Sequence, residues 1–130
     1  MEIIRQEQVT VLRNSGIESE QLLFPENAPS SQITITRVSM PADAVNPRHV
    51  HESSEQVWIA LEGQGHLLLA DGGSLALKAG EVARFGPGEV HGFENTSSEP
   101  FVYLSVTTPP LNFRQAYASN WSSDAEAGSA

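Results

Sequence analysis

Hydrophobic and polar residues alternate along much of this chain with the two-residue period of a β-strand. The clearest example is residues 32–40, Gln-Ile-Thr-Ile-Thr-Arg-Val-Ser-Met, which are rich in β-branched side chains. Because successive side chains of a strand point to opposite faces, this alternation predicts a half-buried strand. Shorter strands are predicted at about 48–51, 56–62, 65–70, 74–77, 81–85, 90–95 and 100–107.

Turn residues separate these strands at short intervals. Asp71-Gly72-Gly73 predicts a hairpin between strands 65–70 and 74–77, because its glycines supply the positive φ that tight hairpin turns require. No window of comparable length keeps a helical period. Many short strands with regular turns predict an all-β, antiparallel sandwich or barrel.

The two ends of the chain have weaker patterns. Residues 1–31 are interpreted as N-terminal strands or an arm over 3–12 followed by a long loop, and residues 32–110 as the barrel core of a single domain. Residues 111–130 are expected to form a short helical segment and a flexible tail. In that segment Phe113 and Tyr117 share a helix face that is expected to pack on the barrel.

Composition narrows the classes of function. A chain of 130 residues is ordinarily one domain, and sixteen acidic against seven basic residues give a net charge of −9, which opposes binding to nucleic acid or an anionic membrane. There is no signal-like N-terminus and no apolar run of about 18 residues, so we expect a cytoplasmic protein. Without cysteine, a metal ion would be held by histidine, carboxylate or amide groups.

Candidate chemistry begins at His49 and His51. On an extended strand these two side chains leave the same face about 7 Å apart, so both imidazoles can approach one ion. An exposed histidine pair is the alternative. A second module, Gly80 to Asn95, contains a strand, a Gly-Pro-Gly turn and then His91 at the start of another strand.

The two modules together resemble the two motifs of the cupin family, over roughly residues 35–107. The positions in register with those motifs are His49, His51, Gly63, Gly80, Gly88, His91 and Asn95. The resemblance implies a small, RmlC-like cupin: an antiparallel β-barrel of the double-stranded β-helix or jelly-roll type. It further implies one divalent metal ion (Zn, Ni, Fe or Mn) held by His49, His51 and His91.

The fourth ligand is left open between two neighbours. In the family's register the usual glutamate position falls on Gln56, while Glu55 comes one residue early. Adjacent strand residues face opposite ways, so both can point inward only across a bulge. We favour Gln56. Three neutral imidazoles and a neutral amide would leave the +2 charge of the ion uncompensated, which favours an anionic ligand.

Other residues are candidates for the pocket and for proton transfer. His66 is either an outward strand histidine, or a fourth imidazole ligand or acid–base group, a role that histidine side chains fill near neutral pH. Arg84 is a candidate partner for a substrate carboxylate, although a surface position is the alternative. If Gln56 faces inward, Trp58 also lines the cavity, and Tyr103 and Ser105 share one face of the last strand.

These features predict a metal-dependent cupin enzyme that acts on a small organic acid or a carbonyl or enol compound. Isomerase, cyclase or lyase chemistry is favoured over dioxygenase chemistry, because a Gln56 ligand leaves the 2-His-1-carboxylate set incomplete. A non-catalytic, small-molecule-binding cupin is the alternative. We expect a homodimer, paired through sheet edges or exchanged N-terminal strands in residues 1–12.

Overall fold

The computed structural model describes residues 1–30 and 32–121 of the chain. A 3₁₀ turn, Gln6–Gln8, precedes ten strands and one short helix. The strands are β1 Thr10–Asn14, β2 Ile17–Leu23, β3 Thr34–Met40, β4 Val45–His49, β5 Glu55–Glu62, β6 Gln64–Leu69, β7 Ser74–Lys78, β8 Val82–Phe85, β9 His91–Glu94 and β10 Phe101–Thr108, and the helix is α1 Arg114–Ala118.

The strands form two sheets whose inner faces enclose one core. The larger sheet has the order β1-β2-β3-β10-β5-β8 and the smaller one β4-β9-β6-β7. Every strand pair is antiparallel. The predicted all-β jelly roll is therefore confirmed. No helix among the described residues is long and apolar enough to cross a membrane.

The interior changes from apolar to polar along the strands of the larger sheet. The inward residues of β3 and β10 lie opposite one another in four pairs, ordered from the apolar end to the polar end. These pairs are Met40 with Phe101, Val38 with Tyr103, Thr36 with Ser105, and Thr34 with Thr107. At the apolar end the rings of Phe93 and Phe101 stack with centroids 4.1 Å apart. One half of the barrel is thus a packed core, and the other half carries the polar groups that can form a site.

The predicted loop over residues 13–31 is wrong, because β2 occupies its middle. The inward side chains of β2 are Ile17, Ser19 and Gln21, and all three are buried. Two of them are polar, so the strand lacks the alternation of apolar residues by which the other strands were predicted.

The C-terminal segment packs on the barrel as the shared face of Phe113 and Tyr117 predicted. Phe113 is buried, and Tyr117 and Trp121 pack against the core. Trp121 also donates a hydrogen bond from Nε1 to the carbonyl oxygen of Ala116, at 3.0 Å. The expected flexible tail is therefore wrong for the stretch up to Trp121, and the remainder, 122–130, lies outside the described residues.

Candidate metal centre

A β-bulge in β4 directs His49 into the barrel. Asn46 pairs with Phe93 and His49 pairs with His91, so the two residues between Asn46 and His49 lie opposite Gly92 alone. Residues three apart on a regular strand face opposite sides, whereas Asn46 and His49 both line the same cavity. The extra residue of the bulge accounts for this shared direction.

Gly92 is the residue that makes room for the bulge. A Cβ atom at this position would lie 2.7 Å from the carbonyl oxygen of Asn46 and 2.9 Å from the backbone nitrogen of Arg48. Carbon atoms are rarely that close to backbone atoms, so a side chain here would push β4 away from β9. The bulge of β4 therefore lies against Gly92, the one residue of β9 without a side chain.

Three histidines converge where β4 and β9 meet. One possible ligand nitrogen from each of His49, His51 and His91 can be chosen so that all three lie within 4.8 Å of one another. The ring centroids are 4.4 Å apart for His49 and His91, and 5.2 Å apart for His51 and His91. The ring of His51 also lies edge-on to Phe113, with centroids 5.8 Å apart.

Backbone carbonyl groups fix the tautomers of two of these histidines. Nδ1 of His49 lies 2.7 Å from the carbonyl oxygen of Pro47, and Nδ1 of His91 lies 3.0 Å from that of Glu89. A carbonyl oxygen only accepts, so each Nδ1 carries the proton and donates it. Each Nε2 consequently keeps a lone pair, which is the form of imidazole that binds a metal.

Gln56 faces the histidines, and Glu55 faces away from them. The carboxylate of Glu55 forms an ion pair with Arg84 on the outer face of the sheet. The buried Gln56 donates from Nε2 to Oγ1 of Thr107 at 2.8 Å, and its Oε1 accepts from Nε1 of Trp58 at 2.8 Å. Because the indole nitrogen can only donate, the Trp58 contact fixes which end of the amide is the oxygen.

The contact between His91 and Gln56 is one that a cation would satisfy. Nε2 of His91 lies 3.1 Å from Oε1 of Gln56, and with the tautomer above both atoms are acceptors. Two ligand atoms that are each about 2.1 Å from one ion lie about 3.0 Å apart at the right angle of an octahedral site and about 3.4 Å apart at the tetrahedral angle. The arrangement of the residues therefore fits a divalent metal ion held by three imidazoles and an amide oxygen.

Burial keeps the imidazoles neutral. The pKa of His49 is lowered to about 4 and that of His91 to about 3. Desolvation is the largest cause, and the neighbouring imidazoles act in the same direction while the backbone hydrogen bonds oppose it. Protons therefore do not compete for these nitrogens near neutral pH.

The same pKa values predict that metal-free protein loses stability in mild acid. Between pH 6.5 and 4 the unfolded chain protonates His49 and His91 while the folded chain does not. The free energy of unfolding should then fall as the pH is lowered, by up to about 1.4 kcal/mol per pH unit for each histidine. Urea unfolding of chelator-treated protein at pH 7 and pH 5 measures this above the range where carboxylates titrate. His49→Gln should reduce the pH dependence, and an unchanged slope would contradict the assignment.

The site opens into a cavity of about 100 Å³. Trp58, Tyr103 and Ser105 line it, as the strand pattern predicted. The other lining residues come from β2, β3, β4 and the loop after it, β5 and the C-terminal segment, and they are Ser19, Thr36, Val38, Asn46, His49, His51, Gln56, Phe113, Ala116, Tyr117, Ser119 and Trp121. Within the described ranges, 1–30 and 32–121, this lining contains no Asp, Glu, Lys or Arg.

Two residues expected at the site lie outside the cavity. On β6 the inward residues are Gly65 and Leu67, so His66 faces outward, where its Nδ1 lies 3.1 Å from Oγ1 of Thr96. Arg84 is about two-thirds exposed and pairs with Glu55. The structure therefore does not bring His66 or Arg84 to the cavity as candidate catalytic groups.

Sequence reasoning missed several residues that line the cavity. Asn46 reaches it only because of the bulge, and Ser19 lies on the strand that was taken for a loop. Thr36 could have been found from the alternation in residues 32–40, which places it on the buried face with Val38. Tyr117 was expected on the barrel but not at the site.

Three comparisons relate the sequence and the fold of this chain to known proteins. A family profile described as a cupin domain matches residues 36–107. The oxalate-binding protein of Thermotoga maritima is 26% identical over 111 residues, which cover 80% of this chain and 91% of that protein. A crystal structure of a predicted oxalate decarboxylase from Thermotoga maritima is 26% identical, with a TM-score of 0.71 and coverage of 85% of this chain and 100% of that one. The polyketide cyclase structure from Streptomyces resistomycificus, at 23% identity, has a TM-score of 0.71 and coverage of 84% and 80%.

Proposed function

The chain belongs to the cupin family, and on that premise we propose that it is a metal-dependent enzyme acting on a small organic acid or a carbonyl or enol compound. One observation carries the proposal. Within the histidine cluster, Nε2 of His91 and Oε1 of Gln56 are both acceptors and lie 3.1 Å apart, as two ligands of one ion would. His49 and His51 complete the proposed ligand set, for a single Zn, Ni, Fe or Mn ion.

The proposed ligands are all neutral, and this property bears on the substrate. With no carboxylate among them, the +2 charge of the ion would be balanced by an anionic substrate. The lack of a carboxylate also favours isomerase, cyclase or lyase chemistry over dioxygenase chemistry. A bound divalent ion would polarise a substrate oxygen or, if it is iron, support chemistry with dioxygen.

The residues of this chain supply the rest of the proposed mechanism. The backbone carbonyls of Pro47 and Glu89 orient two imidazoles, and Trp58 and Thr107 orient the amide of Gln56. Tyr103 lines the cavity, and burial raises its pKa well above the usual value, so its hydroxyl keeps its proton. We assign it the role of a neutral hydrogen-bond donor to a substrate oxygen.

Substitution at residues 55 and 56 tests the fourth ligand. We expect Gln56→Ala to lower metal affinity at least tenfold, because it removes one of the four donor atoms. Glu55→Ala, one residue away on the same strand, is the matched control and should retain the metal content of the unmodified chain. Elemental analysis of protein purified without a histidine tag gives the measurement. Loss of metal in Glu55→Ala alone would assign the ligand to Glu55 instead.

A non-catalytic, small-molecule-binding cupin is the second candidate. The 26% sequence identity with the oxalate-binding protein of Thermotoga maritima favours this second candidate. Calorimetry and turnover assays with the same candidate acids separate the two functions, since a binding protein takes up ligand without converting it. Anaerobic reconstitution with Fe(II), followed by oxygen uptake with candidate enols, separates the redox from the non-redox reaction.

We further infer that the protein is a homodimer in the cytoplasm, paired through its N-terminal residues. β1 is an edge strand of the larger sheet, and Ile3 before it is largely exposed. Light scattering should give about 28 kDa, twice the 14.0 kDa of one chain. Deletion of residues 1–8, which precede β1, should shift the mass towards the monomer. A monomeric full-length chain would refute the inference.

A further inference from the structure

The C-terminal segment forms one wall of the cavity, from Phe113 beside His51 to Tyr117 and Trp121. Phe113, Tyr117 and Trp121, which we term the C-terminal wall, all line the cavity. The side-chain amide of Asn14 holds this segment on β1 by donating to the carbonyl oxygens of Tyr117 at 2.8 Å and Ser119 at 2.6 Å. A ligand bound at the histidines therefore lies against this wall.

The hydroxyl groups of Ser19 and Tyr117 both belong to the lining of the cavity. Nε2 of Gln21 lies 3.1 Å from the carbonyl oxygen of Ser19 and 2.9 Å from its Oγ. Because the carbonyl oxygen only accepts, the amide nitrogen is the donor in both contacts. The hydroxyl of Ser19 therefore accepts from Gln21 and has its own proton to donate. The phenol hydroxyl of Tyr117 is a group in the same lining that can donate to an acceptor.

Tyr103 offers a second donor in the same part of the cavity. Nδ2 of Asn46 donates to the Tyr103 hydroxyl at 3.4 Å, so the phenol again keeps its own proton to donate. Burial is the largest cause that raises the pKa of Tyr117, to about 12, and it also raises the pKa of Tyr103 well above its usual value. Both groups are therefore uncharged donors at neutral pH.

The electrostatics of the cavity depend on a metal ion, because its described lining contains no Asp, Glu, Lys or Arg. Among the described residues no cationic side chain lines it, so an anionic group of the ligand can be balanced only by a metal ion at the histidines. A second carboxylate beside Tyr103 and Tyr117 would be buried without a cation, and burying an unpaired charge costs several kcal/mol. An uncharged oxygen there would accept the two hydrogen bonds without that cost.

We propose that the ligand of this cavity is a small monoanion that carries an uncharged acceptor oxygen at its other end. Its anionic group lies at His49, His51 and His91, and its acceptor oxygen lies at Tyr103 and Tyr117. A cavity volume of about 100 Å³ limits the ligand to a small compound. The inference rests on the proposed function, because the metal ion balances the anionic end.

Fumarate and monomethyl fumarate form a matched pair of probes for this proposal. They share one carbon skeleton, and in the ester the second carboxylate is replaced by an uncharged carbonyl group. Calorimetry on metal-loaded protein should show monomethyl fumarate binding at least tenfold more tightly than fumarate. The only two tryptophans of the sequence, Trp58 and Trp121, both line the cavity, so their fluorescence gives a second readout. Equal affinities, or tighter binding of fumarate, would overturn the proposal.

Tyr117→Phe tests the acceptor end while it keeps the aromatic ring of the wall. Loss of one hydrogen bond should weaken the binding of monomethyl fumarate about fivefold. Crotonate has no oxygen at that end, so its affinity should change less than twofold. An equal loss for both compounds would contradict the assignment. Metal content is measured on the same samples. If the protein binds metal but does not prefer monomethyl fumarate over fumarate, this inference alone is overturned. If it binds neither metal nor any of these anions, the proposed function is overturned as well.

Discussion

His91→Ala is expected to lower metal affinity by about 100-fold or more and to abolish any metal-dependent turnover. His91 supplies one of the three clustered imidazoles, and its Nε2 faces Oε1 of Gln56 at 3.1 Å. Outer-shell partners of metal ligands typically contribute 10- to 100-fold in affinity, so loss of a ligand itself should exceed that range. Elemental analysis and the rise in Tm on adding metal both report the effect, since an ion that binds only the folded state stabilises it.

His66→Ala is the control for this experiment. It removes a histidine of the same chain from the outer face of β6, outside the cavity, and should leave metal content and the metal-induced rise in Tm unchanged. Comparable metal loss in the two variants would assign a role to His66 that its position does not explain. Metal retention in His91→Ala would remove the basis for the proposed centre.

Gly92→Ala is expected to weaken both the fold and the site. Its Cβ would lie 2.7 Å from the carbonyl oxygen of Asn46, so the bulge of β4 must shift or flatten. Overpacking of this kind costs about 1–3 kcal/mol, which corresponds to a fall in Tm of about 4–12 °C. Because the bulge directs His49, we also expect at least a tenfold loss of metal affinity, measured by competition with a chelator.

Gly86→Ala separates this effect from the general cost of replacing a glycine. Gly86 lies in the same 80–95 module, has no positive φ, and a Cβ there would meet nothing within 4 Å. The stability and the metal affinity of the Gly86→Ala variant should stay close to those of the unmodified chain. If Gly92→Ala behaved like Gly86→Ala, the account of how His49 is directed would be wrong.

Much of the barrel could be predicted because its strands combine alternating residues with clear turn signals. Hydrophobic alternation identified the strand that is observed as β3, and Asp71-Gly72-Gly73 identified the hairpin between β6 and β7. The spacing of His49 and His51 indicated two imidazoles that can approach one ion, the resemblance to the cupin motifs added His91, and the structure brings the three together. The strands, the hairpin and the histidine pair could be predicted because the information lies in residues close together in the chain, whereas His91 was added by the resemblance.

The features that could not be predicted depend on contacts between distant segments. The direction of His66 could not be determined, because Leu67, Leu68 and Leu69 are all apolar and give no alternation. β2 was missed because the interior it faces is polar, so its buried Ser19 and Gln21 look like loop residues. Tyr117 and Trp121 reach the cavity wall only because the last described segment packs on β1, which the sequence does not indicate.

The change from apolar to polar residues along β3 and β10 bears on how this protein can diversify. Met40, Phe101 and Phe93 pack in an apolar core that is separate from the residues lining the cavity. Substitutions at Thr36, Ser105 or Tyr117 therefore change the binding surface without disturbing the packing of that core. For enzyme engineering, these cavity positions are the ones to randomise. The variants should still fold, because the apolar core that stabilises the barrel is unchanged.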